Sequence, residues 1–148
     1  MIDPKTYKVI KDIKVSRRPR DMHFSVDRSK LYVACGDDDV IDILDVAKLE
    51  VIGRIPTGPS PETFAIDEAK RRIYVANEEG SSLSIIDMDQ AITVHEVPTG
   101  AEPEGVYVAE DGKTLEREYY NLFLLTFDDE GRCSEFREWY TKPQGQQN

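Results

Sequence analysis

KLYVACGDDDVIDILDV, residues 30–46, returns as RIYVANEEGSSLSIIDM, residues 72–88. Tyr32-Val33-Ala34 returns as Tyr74-Val75-Ala76, and Asp45 as Asp87, each 42 residues further on. Pro19, Pro61 and Pro103 keep the same step. A fixed period of this size marks a repeat architecture, in which each unit needs its neighbour to bury its apolar face.

Working outward, each unit breaks into short β-branched and aromatic runs separated by polar turns. In the first unit these runs are residues 7–15, 21–26, 31–35 and 40–46. Residues 51–56, 62–67, 73–77 and 83–88 repeat them. Four short strands per unit is the content of a propeller blade, and the constancy of the period argues against a sandwich of unrelated hairpins. Tyr32 and Tyr74 are expected in equivalent, covered positions, on the opposite face from Val33 and Val75.

A third unit opens on schedule. Pro56-Thr57-Gly58 returns as Pro98-Thr99-Gly100, and Pro61-Glu62 as Pro103-Glu104. Its first strand is expected at residues 105–109 and its turn at 111–114. Leu115 stands at the place of Leu31 and Ile73, but Glu116 stands where a tyrosine should follow. Beyond it, YYNLFLLTF at 119–127 and the stretch 133–140, with Phe136, Trp139 and Tyr140, read as a hairpin around an acidic turn containing Gly131. Residues 141–148 are polar and expected to fray, and a single helical turn is conceivable only near 115–120. The expected fold class is therefore all-β: an incomplete β-propeller. Two full four-stranded blades (repeats 8–49 and 50–91) are followed by a partial third (92–115), completed by a C-terminal β-hairpin in a 116–148 segment.

The 148 residues carry 29 acidic and 19 basic side chains, a net charge of -10. That balance argues against nucleic acid or an anionic membrane surface as partner. No apolar run reaches the ~18 residues of a membrane span. The N-terminal MIDPKTYKVIKDIKV has no apolar export-signal core, so localisation stays open.

Residues 8–115 resemble the YVTN-type β-propeller repeat proteins. The likeness rests on Tyr32-Val33-Ala34, Tyr74-Val75-Ala76-Asn77, the strand ends Ile43-Leu44-Asp45 and Ile85-Ile86-Asp87, and the Pro-Thr-Gly-x-x-Pro-Glu corners. The wording of residues 32–39 is similar to the branch found beside pyrroloquinoline-quinone-dependent alcohol catabolism in bacteria. The resemblance implies a bacterial, usually exported protein of about seven blades, of which this chain looks like an internal piece. Residues 116–140 are similar to the C-terminal hairpin of the nuclear-transport-factor-like cone fold, which implies a chimera joined near Leu115.

Candidate chemistry is sparse. Asp37-Asp38-Asp39 is the densest oxygen cluster, but the second repeat has Glu78-Glu79-Gly80 there. A solvated turn is expected rather than a calcium loop. Asp45 and Asp87 precede turns, where a carboxylate accepts backbone N–H groups. His23 and His95 are not repeat-equivalent and have no ligand partner in sequence, so no metal site is expected. Arg17-Arg18-Pro19-Arg20 is a basic corner, expected in solvent, that could also grip an anion or a partner's carboxylate. Cys35 and Cys133 are expected as unpaired thiols, with one disulfide as the alternative. No catalytic, cofactor or metal residue is assigned, and no cofactor is expected.

These features point to a non-catalytic binding or scaffold module, its protein or small-molecule ligand unspecified. Self-association through open blade faces is expected. The alternatives are a propeller lactonase-like enzyme, or a small-molecule enzyme or binder of the cone fold.

Overall fold

A computed structural model of the chain describes residues 1–108 and the two strands 122–127 and 133–139. Among the described residues there is no helix. The first blade is an antiparallel sheet of β1 (Pro19–Phe24), β2 (Lys30–Cys35), β3 (Val40–Asp45) and β4 (Glu50–Pro56), in that order. The second repeats it with β5 (Pro61–Asp67), β6 (Arg72–Asn77), β7 (Ser82–Asp87) and β8 (Ile92–Pro98). The hairpin is β9 (Leu122–Phe127) against β10 (Cys133–Trp139), with Leu122 opposite Trp139. It forms a sheet of its own among the described residues. The expected turn 111–114, the helical turn near 115–120, the junction near Leu115, the turn 128–132 and the tail 141–148 lie outside the described residues.

The repeat is carried down to backbone detail. Each first strand has an extra residue just after its proline: Pro19 faces Cys35 while Asp21 faces Ala34, and Pro61 faces Asn77 while Thr63 faces Ala76. Arg20 and Glu62 are the bulged residues. Each third-to-fourth turn is built on an aspartate. Asp45 Oδ1 accepts the N–H groups of Ala47 and Lys48, both at 2.9 Å, and Asp87 Oδ1 those of Asp89 and Gln90. Leu49 and Ala91 close these turns at φ of 57° and 55°.

A four-stranded sheet has two apolar faces and can cover neither by itself. The face of blade 1 carrying Tyr32, Ala34, Ile41 and Ile55 packs against Phe64, Ile73, Val75 and Ile86 of blade 2. Tyr32 and Tyr74 are both buried, as the sequence leads one to expect, and Val33 lies on the opposite face of blade 1 with Cys35 and Leu44. Tyr74 turns with Leu83 and Ile85 towards Val106 and Val108.

Two expected strands are not formed. Residues 7–15 make only an isolated bridge, Ile2 to Val9. That bridge stands one period before the Leu44–Val51 pair, and Asp3 accepts N–H groups of Lys5 and Thr6 as Asp45 does. The segment repeats the third-to-fourth turn, but no described strand lies beside residues 10–15 to extend the ladder. Ile13 and Val15 nevertheless pack on the rear of blade 1. Residues 105–108 likewise have no strand partner, and Ala109 lies outside the described residues. They still run along blade 2, where Thr63 Oγ1 donates to Glu104 O at 3.2 Å.

The corner entering each blade is pinned by a buried polar side chain on the third strand. Asp42 accepts from Ser16 N at 2.6 Å, and Ser84 Oγ from Gly58 N at 3.1 Å. At Gly58 a Cβ would stand 2.5 Å from Asn77 Nδ2 and 2.8 Å from its Cγ, whereas at Gly53 the nearest contact is an ordinary 3.7 Å. Gly58→Ala should therefore cost about 1–3 kcal/mol by forcing this buried corner apart, and Gly53→Ala should cost little. Urea denaturation of the two variants beside the wild type checks both.

Candidate functional site

The first strand of each blade is an edge, with one row of backbone groups unpaired by its own sheet. β1 and β5 lie side by side, and residues 105–108 run beside them. Together they line an open recess of about 500 Å³. Asp21, Thr63 and Gly105 occupy one repeat position in its wall, and His23, Ala65 and Tyr107 another. Asp21 Oδ2 accepts the N–H of Phe64 at 3.2 Å, so a carboxylate of one blade satisfies the free edge of the next. The same oxygen lies 3.1 Å from His23 Nε2. The imidazole stands edge-on to the Phe64 ring, with centroids 4.8 Å apart. His23 is thus half exposed in the recess, held by a carboxylate on one side and an aromatic ring on the other.

The basic corner closes one end of these inner strands. A side chain displaced by a bulge leaves the alternation of its strand, and the two bulged residues meet across the blade seam. Arg20 Nε and Nη2 both reach Glu62 Oε2, and Arg18 Nη2 donates to Glu62 Oε1 at 3.2 Å. Glu62 is buried with a side chain only 8% exposed, while both arginines stay partly in water. The corner faces solvent as expected, and Arg18 and Arg20 also clamp a carboxylate of this chain's own next blade. Glu78, at the end of β6, lies against Glu62, which raises its pKa first through the hydrogen bond between the two carboxyl groups and then through burial. Arg18 and Arg20 pull in the opposite direction.

The repeat count, the four-stranded sheets and the shared inner wall define a propeller. A family model described as a lactonase, seven-bladed β-propeller, matches residues 3–108. The chain belongs to this family. No curated protein sequence matches it. Among solved structures, the Kuenenia stuttgartiensis hydrazine synthase superposes with a TM-score of 0.73 at 23% identity, over 94% of this chain and 42% of that one. The dihydro-heme d1 dehydrogenase NirN gives 0.67 at 17% identity, over 94% and 32%. AztD from Citrobacter koseri gives 0.56 at 18%, over 69% and 30%. The chain spans less than half the length of each, and likeness at these identities is likeness of fold.

Within this lactonase-family propeller the remaining candidates are scattered. The three aspartates at the β2–β3 turn go separate ways. Asp38 takes the Arg17 guanidinium at 2.8 Å, Asp39 Oδ1 accepts Ser60 N at 2.8 Å, and Asp37 lies 3.7 Å from Arg18. The turn stays open to solvent, and two of the three also fasten corners. Among the described residues no group of three or more His, Cys, Asp or Glu is placed to hold a metal ion. No helix of the described residues is long and apolar enough to cross a membrane. His95 is exposed on β8, paired across the ladder with Ile85. Cys35 is a free, buried thiol, pushed up to about 11 by burial and by the Asp42 charge. The side chain of Cys133 is outside the described residues. The Glu62–Arg20 pair was not foreseen in the sequence, although its signal is there: the two residues stand one period apart with opposite charge.

Two measurements test this chemistry. Alkylation with iodoacetamide at neutral pH should leave Cys35 unmodified in the native protein and label it in denaturant, read by peptide mass spectrometry. At the seam, Glu62→Gln should destabilise by about 1–3 kcal/mol, because two guanidinium groups lose their anion. Glu78→Gln should act the other way. A raised folded-state pKa means that the folded state holds a proton that the unfolded state has lost, so stability falls as pH rises from the ordinary value of 4.5 through the raised one. Gln keeps a neutral donor there. Thermal melts across that window should show a flatter pH dependence for Glu78→Gln than for the wild type.

Proposed function

We propose that the chain acts as a non-catalytic binding or scaffold segment of a bacterial β-propeller, with the inner-strand recess as its ligand-facing surface. The observation that carries this reading is the use of the polar groups. The arginines and glutamates of the corner are engaged with one another across the blade seam. The recess instead offers a largely apolar surface, including the half-exposed Phe24 and the exposed Tyr107, with Asp21, His23, Thr63 and Glu68 as its polar groups. Such a surface suits recognition of a protein segment or a small molecule with an apolar part. The YVTN reading fits this assignment. Asn77 closes the Tyr-Val-Ala-Asn stretch on β6, and its amide donates to Ser82 and Ser84 at the buried corner that enters blade 2.

One observation favours a second reading, lactone hydrolysis. Asp21 orients His23 in the recess, and an oriented imidazole can take a proton from water as that water attacks a lactone carbonyl and the ring C–O bond opens. Hydrolysis of simple γ- and δ-lactones, followed by pH-stat, separates the two. The binding reading expects wild-type rates equal to buffer. A saturable rate that falls at least about tenfold in His23→Ala would replace it with the hydrolytic one.

A further inference from the structure

The wall of the recess is uneven in charge. Two carboxylates stand in it, Asp21 on β1 and Glu68 just after β5, and no lysine or arginine is among its described lining residues. Their side chains are 25% and 28% exposed, so a molecule in the recess can reach both. Neither carboxylate is saturated, since each offers about four lone-pair sites. Asp21 takes Met22 N at 2.8 Å on Oδ1 and Phe64 N at 3.2 Å on Oδ2, with His23 Nε2 3.1 Å from the latter. Glu68 gives Oε2 to Arg71 at 2.8 Å, while Oε1 receives a long 3.4 Å contact from Val26 N. The Arg71 guanidinium is itself shared, because it also donates to Asp89 at 2.8 Å and 3.1 Å. Two carboxylates against one guanidinium leave that margin of the recess negative. The net charge of the whole chain, -10, has the same sign.

We infer that the ligand of the recess is a small organic cation: an ammonium or guanidinium head on an apolar body. Asp21 and Glu68 attract the head, and the walls concentrate their field in a cleft that offers no competing cationic side chain of its own. Phe24 and Tyr107 add aromatic surface, whose ring faces also attract a cation. The apolar body finds the remaining wall, and a volume of about 500 Å³ is ample for a molecule of this kind. An anion would meet two like charges there, and a neutral ligand would leave both carboxylates unused. The inference rests on the reading of the recess as the ligand-facing surface and adds the charge class of what it holds.

The test uses the full chain at neutral pH with three probes of nearly one shape: phenethylammonium, 2-phenylethanol and phenylacetate. Affinities are read by isothermal titration calorimetry and saturation-transfer NMR. Phenethylammonium should bind at least about tenfold more tightly than 2-phenylethanol, and phenylacetate more weakly than either. Asp21→Asn and Glu68→Gln keep shape and an acceptor but remove a charge. Each should narrow the gap between ammonium and alcohol by about threefold or more, and raised salt should narrow it in the wild type. Far-UV circular dichroism checks that the variants keep their sheets, and one that does is enough for the comparison. Equal binding of ammonium and alcohol, or a preference for phenylacetate, overturns the inference and leaves the recess a binding surface. A gap that both variants preserve overturns it too, since the cation would then sit elsewhere. If none of the three probes binds, the reading of the recess as a ligand surface falls together with the inference.

Discussion

The face-to-face seam between two sheets is the contact on which the rest of the structure depends. Each blade is only four short strands, and its hydrogen-bond ladder gives it no means of covering its own faces. Burying Phe64, Ile73, Val75 and Ile86 against Tyr32, Ala34, Ile41 and Ile55 removes both sets from water at once. The seam has polar fastenings along its inner strands. Glu62 draws in Arg18 and Arg20 at one end of the inner strands, and Asp21 satisfies the Phe64 N–H farther along. An exposed ion pair contributes little by itself. The burial of Glu62 makes the clamp matter, since an unpaired carboxylate at that position would be costly.

The architecture was legible in the sequence because burial imposes a period on it. Tyr32 and Tyr74 recur since each sits in a seam that the repeat generates anew, and Asp45 and Asp87 recur since each turn needs the same acceptor. The strand expected over residues 7–15 shows where this reading stops. Alternating apolar residues report which side chains are covered, and Ile13 and Val15 are covered, but a strand also needs a partner ladder. Asp3 was the overlooked sign that residues 2–9 form the turn of the repeat, one period before Asp45.

The candidate site was far less legible. Arg20 and Glu62 look like solvent-facing charges until the bulges are known, because a bulge shifts a side chain out of the alternation from which facing is read. Asp42 was hidden for a different reason. It is fully buried within an apolar run, and only its partners, Ser16 and Arg54, explain why a carboxylate is tolerated there. The second blade solves the same problem with Ser84, Asn77 and Gly58. A pinned corner recurs while its residues do not, so a search for repeated letters passes over it.

This separation of geometry from chemistry is where the fold leaves room for function. The bulge delivers the side chain after each corner proline to the seam whatever that side chain is. It is a base at residue 20 and an acid at 62, and residue 104 follows the next corner proline with another acid. The inner-wall positions vary in the same way, with aspartate, threonine and glycine at one level and histidine, alanine and tyrosine at the next. Backbone pairing and apolar seams hold these positions in place without depending on their chemistry. Substitution there can change what the recess recognises at small cost to the sheets, whereas at Phe64 or Ile73 the same freedom does not exist, because the seam itself would open.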